Sequence, residues 1–202
     1  MIKWSRCPSK QLLYFWLLRD IPKFSRWKPV GLDVGCGKDL GNYPLFRSWR
    51  YIGIDLDIKL LDAIKPERRN NFYGSDDIFI IRNLLTTPFE RGDFVLCVQV
   101  LTNKHFDTQN TVQTVDRLID MTHMRGTLIF NTSKFTMQHE PVFEPMLYDS
   151  FERVTVRRYG AWSEQRTNFA PLLAGIMWAI PWLRHRGHHQ KTYYICERKC
   201  KP

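Results

Sequence analysis

The 202-residue sequence predicts an α/β domain with a mainly parallel sheet. Three observations carry that expectation. Short apolar runs, bounded by turn residues, recur along the chain. Stretches with helical spacing alternate with them. A glycine turn, "GLDVGCGKD", follows the first run, at the place where open α/β folds bind ligands. Hydrophobic residues make up 44% and charged residues 25%, which describes a globular chain, and the length suits one domain with a sizeable core.

The elements follow in order. "KQLLYFWLL", Lys10 to Leu18, reads as a helix with a large apolar face amid basic residues, and Pro22 and Pro29 punctuate the chain after it. "VGLDV" is a short strand ending at the glycine turn. "RYIGIDLD" is a second strand, apolar on both faces, that ends in acids. "IFIIR" is a third, and "DFVLCVQVL" is the strongest central strand. "NTVQTVDRLIDMTHM" has Val112, Val115, Leu118 and Ile119 at helical spacing, with Arg125-Gly126 as its stop. "TLIFNTS", "FERVTVRRYG" and "KTYYICERK" are the remaining strands. The division expected is an amphipathic helical segment over 1–28 and one domain over 29–202. An insertion over 160–191 precedes the last strand, where a hairpin would need far less chain. No internal repeat is visible.

The formal net charge is +10, which favours an anionic partner: nucleic acid, an acidic membrane surface or a phosphorylated substrate. No apolar window is long enough to span a bilayer, and the N-terminal stretch lacks a small-residue cleavage site. A cytoplasmic protein is expected, with peripheral membrane contact as an extension of that reading. The five cysteines are odd in number and scattered, so reduced thiols are expected, and neither Cys196-Cys200 nor "RHRGHH" has the companions of a metal site.

Gly35, Gly37 and Gly41 form GxGxxxG, a pattern shared with nicotinamide-nucleotide sites. Charge decides against that ligand. A pyrophosphate over the turn would sit close to Asp33, and two like charges at about 4 Å cost ~4 kcal/mol at an effective dielectric of 20. A ligand bearing an ammonium and a sulfonium, such as S-adenosylmethionine, would be attracted instead. Asp55 ends the second strand, twenty residues past Gly35, where a carboxylate can accept both ribose hydroxyls of a nucleoside.

"LDVGCGKD" followed by "YIGIDLD" resembles the first two motifs of the class I S-adenosylmethionine-dependent methyltransferases, and "PFERGDFVLCVQVLTNKHF" resembles their fourth-strand region. The likeness covers roughly Pro29 to Ser133. It implies a Rossmann-like methyltransferase fold, with a mainly parallel seven-stranded sheet flanked by helices, and S-adenosyl-L-methionine as cofactor. Carried over, Asp33, Gly35, Cys36 and Gly37 line the methionine end. Asp55 holds the ribose hydroxyls, with Leu56 and Asp57 beside the adenosine. Asn83 and Leu84 fall near adenine, and Cys97 and Val98 close over the sulfonium. The family commonly has a histidine a few residues past the fourth strand. Asn103 stands there in this chain, followed by Lys104 and His105, and His105 is the candidate general base.

The acceptor is read from the ends of the chain. Trp4, Trp16, Trp27, Trp162, Trp178 and Trp182 lie in the N-terminal segment and the insertion, both flanked by basic residues. Such segments suit an interfacial docking surface, or else simply pack on the sheet. The insertion loosely resembles an arm of small methyltransferases that act on glycans or lipid-linked sugars. The reading is therefore O-methylation of a small or lipid-linked, saccharide-type acceptor, with Phe169 to Leu183 on the acceptor side and touching a lipid tail or a membrane surface. Two alternatives stand beside it: an RNA or other nucleic-acid methyltransferase, motivated by the charge, and a non-catalytic binding module, motivated by Asn103. "NTSKF" lacks the Asn/Asp-Pro-Pro-aromatic signature of many amino-methylating nucleic-acid enzymes, which lowers the first of these.

Overall fold

The computed structural model describes residues 7–23, 29–37, 40–55, 78–81, 85, 90–101, 106–160, 168–180, 182–183 and 190–200. Helix α1, Pro8–Asp20, is followed by strands β1, Val30–Val34, and β2, Arg50–Asp55, with a short 3-10 turn at Tyr43–Phe46 between them. Strands β3, Ile78–Ile81, and β4, Gly92–Cys97, come next. Then come α2, Thr108–Met121, β5, Thr122–Asn131, α3, Glu140–Ser150, and β6, Phe151–Gly160. Helix α4, Ala170–Ala179, and β7, Gln190–Lys199, complete the order. One seven-stranded sheet runs β3-β2-β1-β4-β5-β7-β6. Strands β1 to β5 pair in parallel, and β7 is antiparallel to both β5 and β6.

Chain order reverses between β1 and β4. Successive strands step outward to β2 and β3 on one side, and to β5 on the other. The loops leaving β1 and β4 therefore diverge over a crevice, the switch point at which α/β sheets take ligands.

The alternation of side chains divides the core into two layers. Leu32, Val34, Ile52, Ile54, Val95 and Cys97 pack with Val115, Leu118 and Ile119 of α2 and with Phe143 and Leu147 of α3. On the other face Tyr51, Phe94, Leu96, Ile129, Tyr159 and Tyr193 meet Leu12, Leu13, Trp16 and Leu17 of α1 and Ala174 and Met177 of α4. Trp16 is central, edge-on to Tyr159 at 5.0 Å and tilted against Tyr193 at 5.4 Å. Beside it Arg157 of β6 pairs with Asp20 at the end of α1. The N-terminal helix thus shares the main core of the sheet.

Two helices differ from the sequence expectation. The helix after β4 ends at Met121, three residues short of the expected Met124, and the chain passes directly into β5. Two of its last four carbonyls, those of Leu118 and Ile119, are engaged without a turn. Thr122 Oγ1 donates to the Leu118 carbonyl at 2.8 Å, and buried Lys199 donates to the Ile119 and Thr122 carbonyls at 2.7 and 3.1 Å. Arg125, at φ 63°, and Gly126 fall inside the strand, in the stretch where its pairing register with β4 shifts. Helix α3 carries Pro145 internally, which disguises it in the sequence; Pro141 at its first turn is compatible with a helix start.

Candidate functional site

The site is built on the β1 exit. Gly35 has φ +73° and Gly37 φ +64°, conformations that favour glycine. The turn is pinned to the end of β2. Gly35 and Cys36 N–H both donate to the Ile54 carbonyl, at 2.7 and 3.2 Å, and Gly37 N–H donates to Asp55 Oδ2 at 2.9 Å. Gly35 is also required by packing, since a Cβ there would lie 2.1 Å from Val100 Cγ2. The β1 and β4 exit loops are therefore in contact across the switch point. A Cβ on Gly37 would meet nothing within 4 Å, so this side of the turn is open.

These hydrogen bonds bear on which ligand fits. All three N–H groups that a phosphate would use, those of Gly35, Cys36 and Gly37, already have acceptors in β2. Two carboxylates, Asp33 and Asp55, lie at this end of the sheet. An anion would meet negative charge without free donors from these three residues, whereas a cationic nucleoside would gain from both acids.

Asp33 does not stand open to that ligand. It is fully buried in β1, on the α1 side of the sheet. Asn42 Nδ2 donates to Oδ1 and the Tyr51 hydroxyl to Oδ2, both at 3.0 Å. Burial pushes its carboxyl up to about 6; the two donors work against that shift and the charge of Asp55 adds to it. Tyr14 of α1 senses the same charge. Its hydroxyl titrates above the usual value, first through burial and then through Asp33, and it would lie 3.4 Å from a Cβ on Gly41. Asp33 is thus enclosed by its own partners, whereas Asp55 is half-buried at the rim of the turn, where its Oδ2 accepts from Gly37 N–H.

At the end of β4, Cys97 is fully buried in the layer under α2 and α3, so its side chain belongs to the core. Burial raises its thiol, as it does that of Cys36. Val98 lies in the opposite layer. Gln99 then takes φ 65°, a strained conformation for a residue with a side chain. Its N–H donates to Asn131 Oδ1 at 2.7 Å. Two residues on, the Thr136 hydroxyl donates to the Leu101 carbonyl. The β4 exit is thereby tied to the β5 exit. Leu56, Asp57, Asn83, Leu84 and His105 lie outside the described residues.

Sequence reading missed Tyr14, Asn42, Tyr51, Gln99 and Asn131. Tyr51 had a legible signal: a hydroxyl inside a strand apolar on both faces needs a buried partner. The others are assembled by tertiary contact alone. All five cysteines are free thiols, four of them buried. Among the described residues no cluster of three His, Cys, Asp or Glu could hold a metal ion, and no helix is long and apolar enough to cross a membrane.

A family model described as "Methyltransferase domain" matches residues 32–130. No curated protein matches the chain. Among solved structures, the fold is similar to the N-methyltransferase NodS from Bradyrhizobium japonicum WM9 in complex with S-adenosyl-L-homocysteine. Identity is 13%, coverage 95% of this chain and 87% of that one, and the TM-score 0.61. It is also similar to magnesium protoporphyrin IX methyltransferase (ChlM) from Synechocystis PCC 6803 with bound S-adenosylmethionine, at 16% identity, 95% and 80% coverage and a TM-score of 0.60. The [4+2]-cyclase SpnF shares the fold as well, at 10% identity, 100% and 85% coverage and a TM-score of 0.65.

Proposed function

We infer, from this chain's membership of the class I S-adenosylmethionine-dependent methyltransferases, that it methylates a hydroxyl of a small or lipid-linked, saccharide-type acceptor. The cofactor, S-adenosyl-L-methionine, supplies a methyl carbon activated by sulfonium. The observation that carries the reading is the β1 turn. Its donors point into β2 and its neighbouring acids favour a cation, which suits this cofactor and disfavours a pyrophosphate.

The protein has then to hold nucleophile and methyl group in line and to keep water out. The rigid switch point provides the alignment, because Gly35 against Val100, and Gln99 fastened to Asn131, fix the two exit loops to each other. Helix α1, packed on α4, covers the side of the sheet on which Asp33 lies. A saccharide is supported by two groups near this crevice: the neutral side chain of Gln99 at the β4 exit, and the partly buried ring of Tyr14, whose hydroxyl approaches Gly41. His105 falls in sequence between β4 and α2 and is proposed to take the hydroxyl proton, imidazole being the side chain best suited to move a proton near neutral pH.

A nucleic-acid acceptor is the second reading, favoured by the net charge of +10. Titration calorimetry is the first test. S-adenosylhomocysteine should bind and NADP should not, and Asp55→Ala should cost ~1.5–3 kcal/mol for each charge-assisted hydrogen bond lost. Wild-type protein that binds no S-adenosylhomocysteine would end the assignment. Transfer of a tritiated methyl group into cell fractions then separates acceptors. Label in the glycan or organic-extractable fraction supports the saccharide reading, nuclease-sensitive label supports nucleic acid, and binding without transfer leaves a non-catalytic module.

A further inference from the structure

Helix α4 is apolar on every side. None of its ten residues, Ala170 to Ala179, carries a charge. One stripe, Ala170, Ala174 and Met177, is buried on the side that meets α1. The opposite stripe of Leu172 and Ile176 is exposed, continues into Ile180 just past the helix, and has Leu172 at 62%. Phe169, at 68%, and Trp182, at 58%, stand exposed at the two ends, and Leu18 of α1 is exposed on the adjoining helix. A helix that is apolar all round is normally covered all round, and a contiguous apolar face on a protein surface marks an interaction site.

Charge indicates what covers it. In the described parts of these two segments, residues 7–23 and 168–183, the basic side chains are Lys10, Arg19 and Lys23, all exposed. The single acid there, Asp20, is almost buried and engaged by Arg157 and Arg19. The guanidinium of Arg19 lies 4.8 Å from the centre of the Trp178 ring, so a cation sits against the indole where the two helices meet. In the sequence, Arg166 precedes α4, and Arg184 and Arg186 follow it. A second copy seated on this face would bring two basic rims together on a chain already at +10. An anionic lipid surface matches both features, accepting apolar side chains below its headgroups and cations among them.

We propose that the exposed face of α4, with Arg19 of α1 beside it, docks the protein on an anionic bilayer, the helix lying in the membrane plane. This inference stands on the surface and is independent of the acceptor's identity. The experiment is flotation of the full chain with phosphatidylcholine vesicles, with and without phosphatidylglycerol. Association is expected only with the anionic vesicles and should fall with added salt. Leu172→Ser/Trp182→Ser should lower the bound fraction roughly tenfold or more, and Arg19→Glu by at least about fivefold. Calorimetry with S-adenosylhomocysteine on the same proteins should be unchanged, which separates loss of docking from loss of fold or of the cofactor site. Three results would overturn the proposal: no flotation with either vesicle, flotation that both variants leave intact, or a concentration-dependent dimer that Leu172→Ser/Trp182→Ser abolishes.

Discussion

At the β1–β2 end of the sheet a carboxylate is buried and every one of its oxygens is engaged; at the β6–β7 end leucine, isoleucine and tryptophan stand in solvent. Each end departs from the usual distribution of polar and apolar side chains, in opposite directions. The first departure places a carboxylate where solvent cannot screen it, so that its field would be felt by a cation bound at the turn. The second leaves apolar surface where a partner can remove it from water. Each end carries a stability cost, but it arises by desolvation of a charge at one and by incomplete burial at the other.

The largest expected effect tests the rigid end. Gly35→Ala combines a left-handed backbone with a Cβ 2.1 Å from Val100. Backbone strain of ~1–2 kcal/mol and overpacking of ~1–3 kcal/mol add to a destabilisation of about 3 kcal/mol. Gly37→Ala carries the strain alone, because its Cβ points into open space. Chemical denaturation of both should show Gly35→Ala as the more damaging. Equal losses would mean that contact between the two exit loops contributes nothing.

Asp33→Asn tests the buried charge. The carboxyl titrates near 6 in the folded chain against 3.8 in the unfolded one. A raised carboxyl penalises the fold progressively as pH rises from about 4 through about 6, and the penalty levels off above that at about 3 kcal/mol. The variant should therefore be more stable than wild type at pH 8 by up to that amount and show no such gain at pH 4. It should also bind S-adenosylhomocysteine more weakly at pH 8, because the field of the acid is gone. Wild-type affinity should fall as pH drops through about 6, with a shallower fall in the variant. A variant less stable at pH 8 would show that the hydrogen bonds from Asn42 and Tyr51 outweigh desolvation.

The smallest effect belongs to the exposed end. Leu172→Ser should change stability by less than about 0.5 kcal/mol, since the side chain already faces water. Thermal unfolding of the free protein measures it, and a loss of about 2 kcal/mol or more would place Leu172 in the core.

Much of this was legible in one dimension. The residues "VGLDVGCG" and "YIGID" specify a strand, a left-handed turn and a second strand through glycine, β-branching and alternation, and β1 and β6 occupy the expected stretches. Period and composition are local, so local sequence carries them. Helix α3 was less legible, because Pro145 interrupts the pattern that would announce it. The reach of β4 was overestimated: "DFVLCVQVL" stays apolar to Leu101, but the strand stops at Cys97 and Gln99 turns left-handed, held by Asn131 from thirty-two residues away.

By itself the sequence determined the order of the strands, the glycine turn, the acid at the end of β2 and the basic, tryptophan-rich character of the two flanking segments. Tertiary structure alone decided what those residues face. It turned Asp33 inward onto Asn42 and Tyr51, placed Cys97 in the core, packed one side of α4 against α1 and left the other side in water. The physical reason is that residue type and spacing set which groups can be buried, whereas the partner that satisfies a buried group comes from a strand or helix distant in the chain, and only the assembled sheet brings the two within hydrogen-bonding distance.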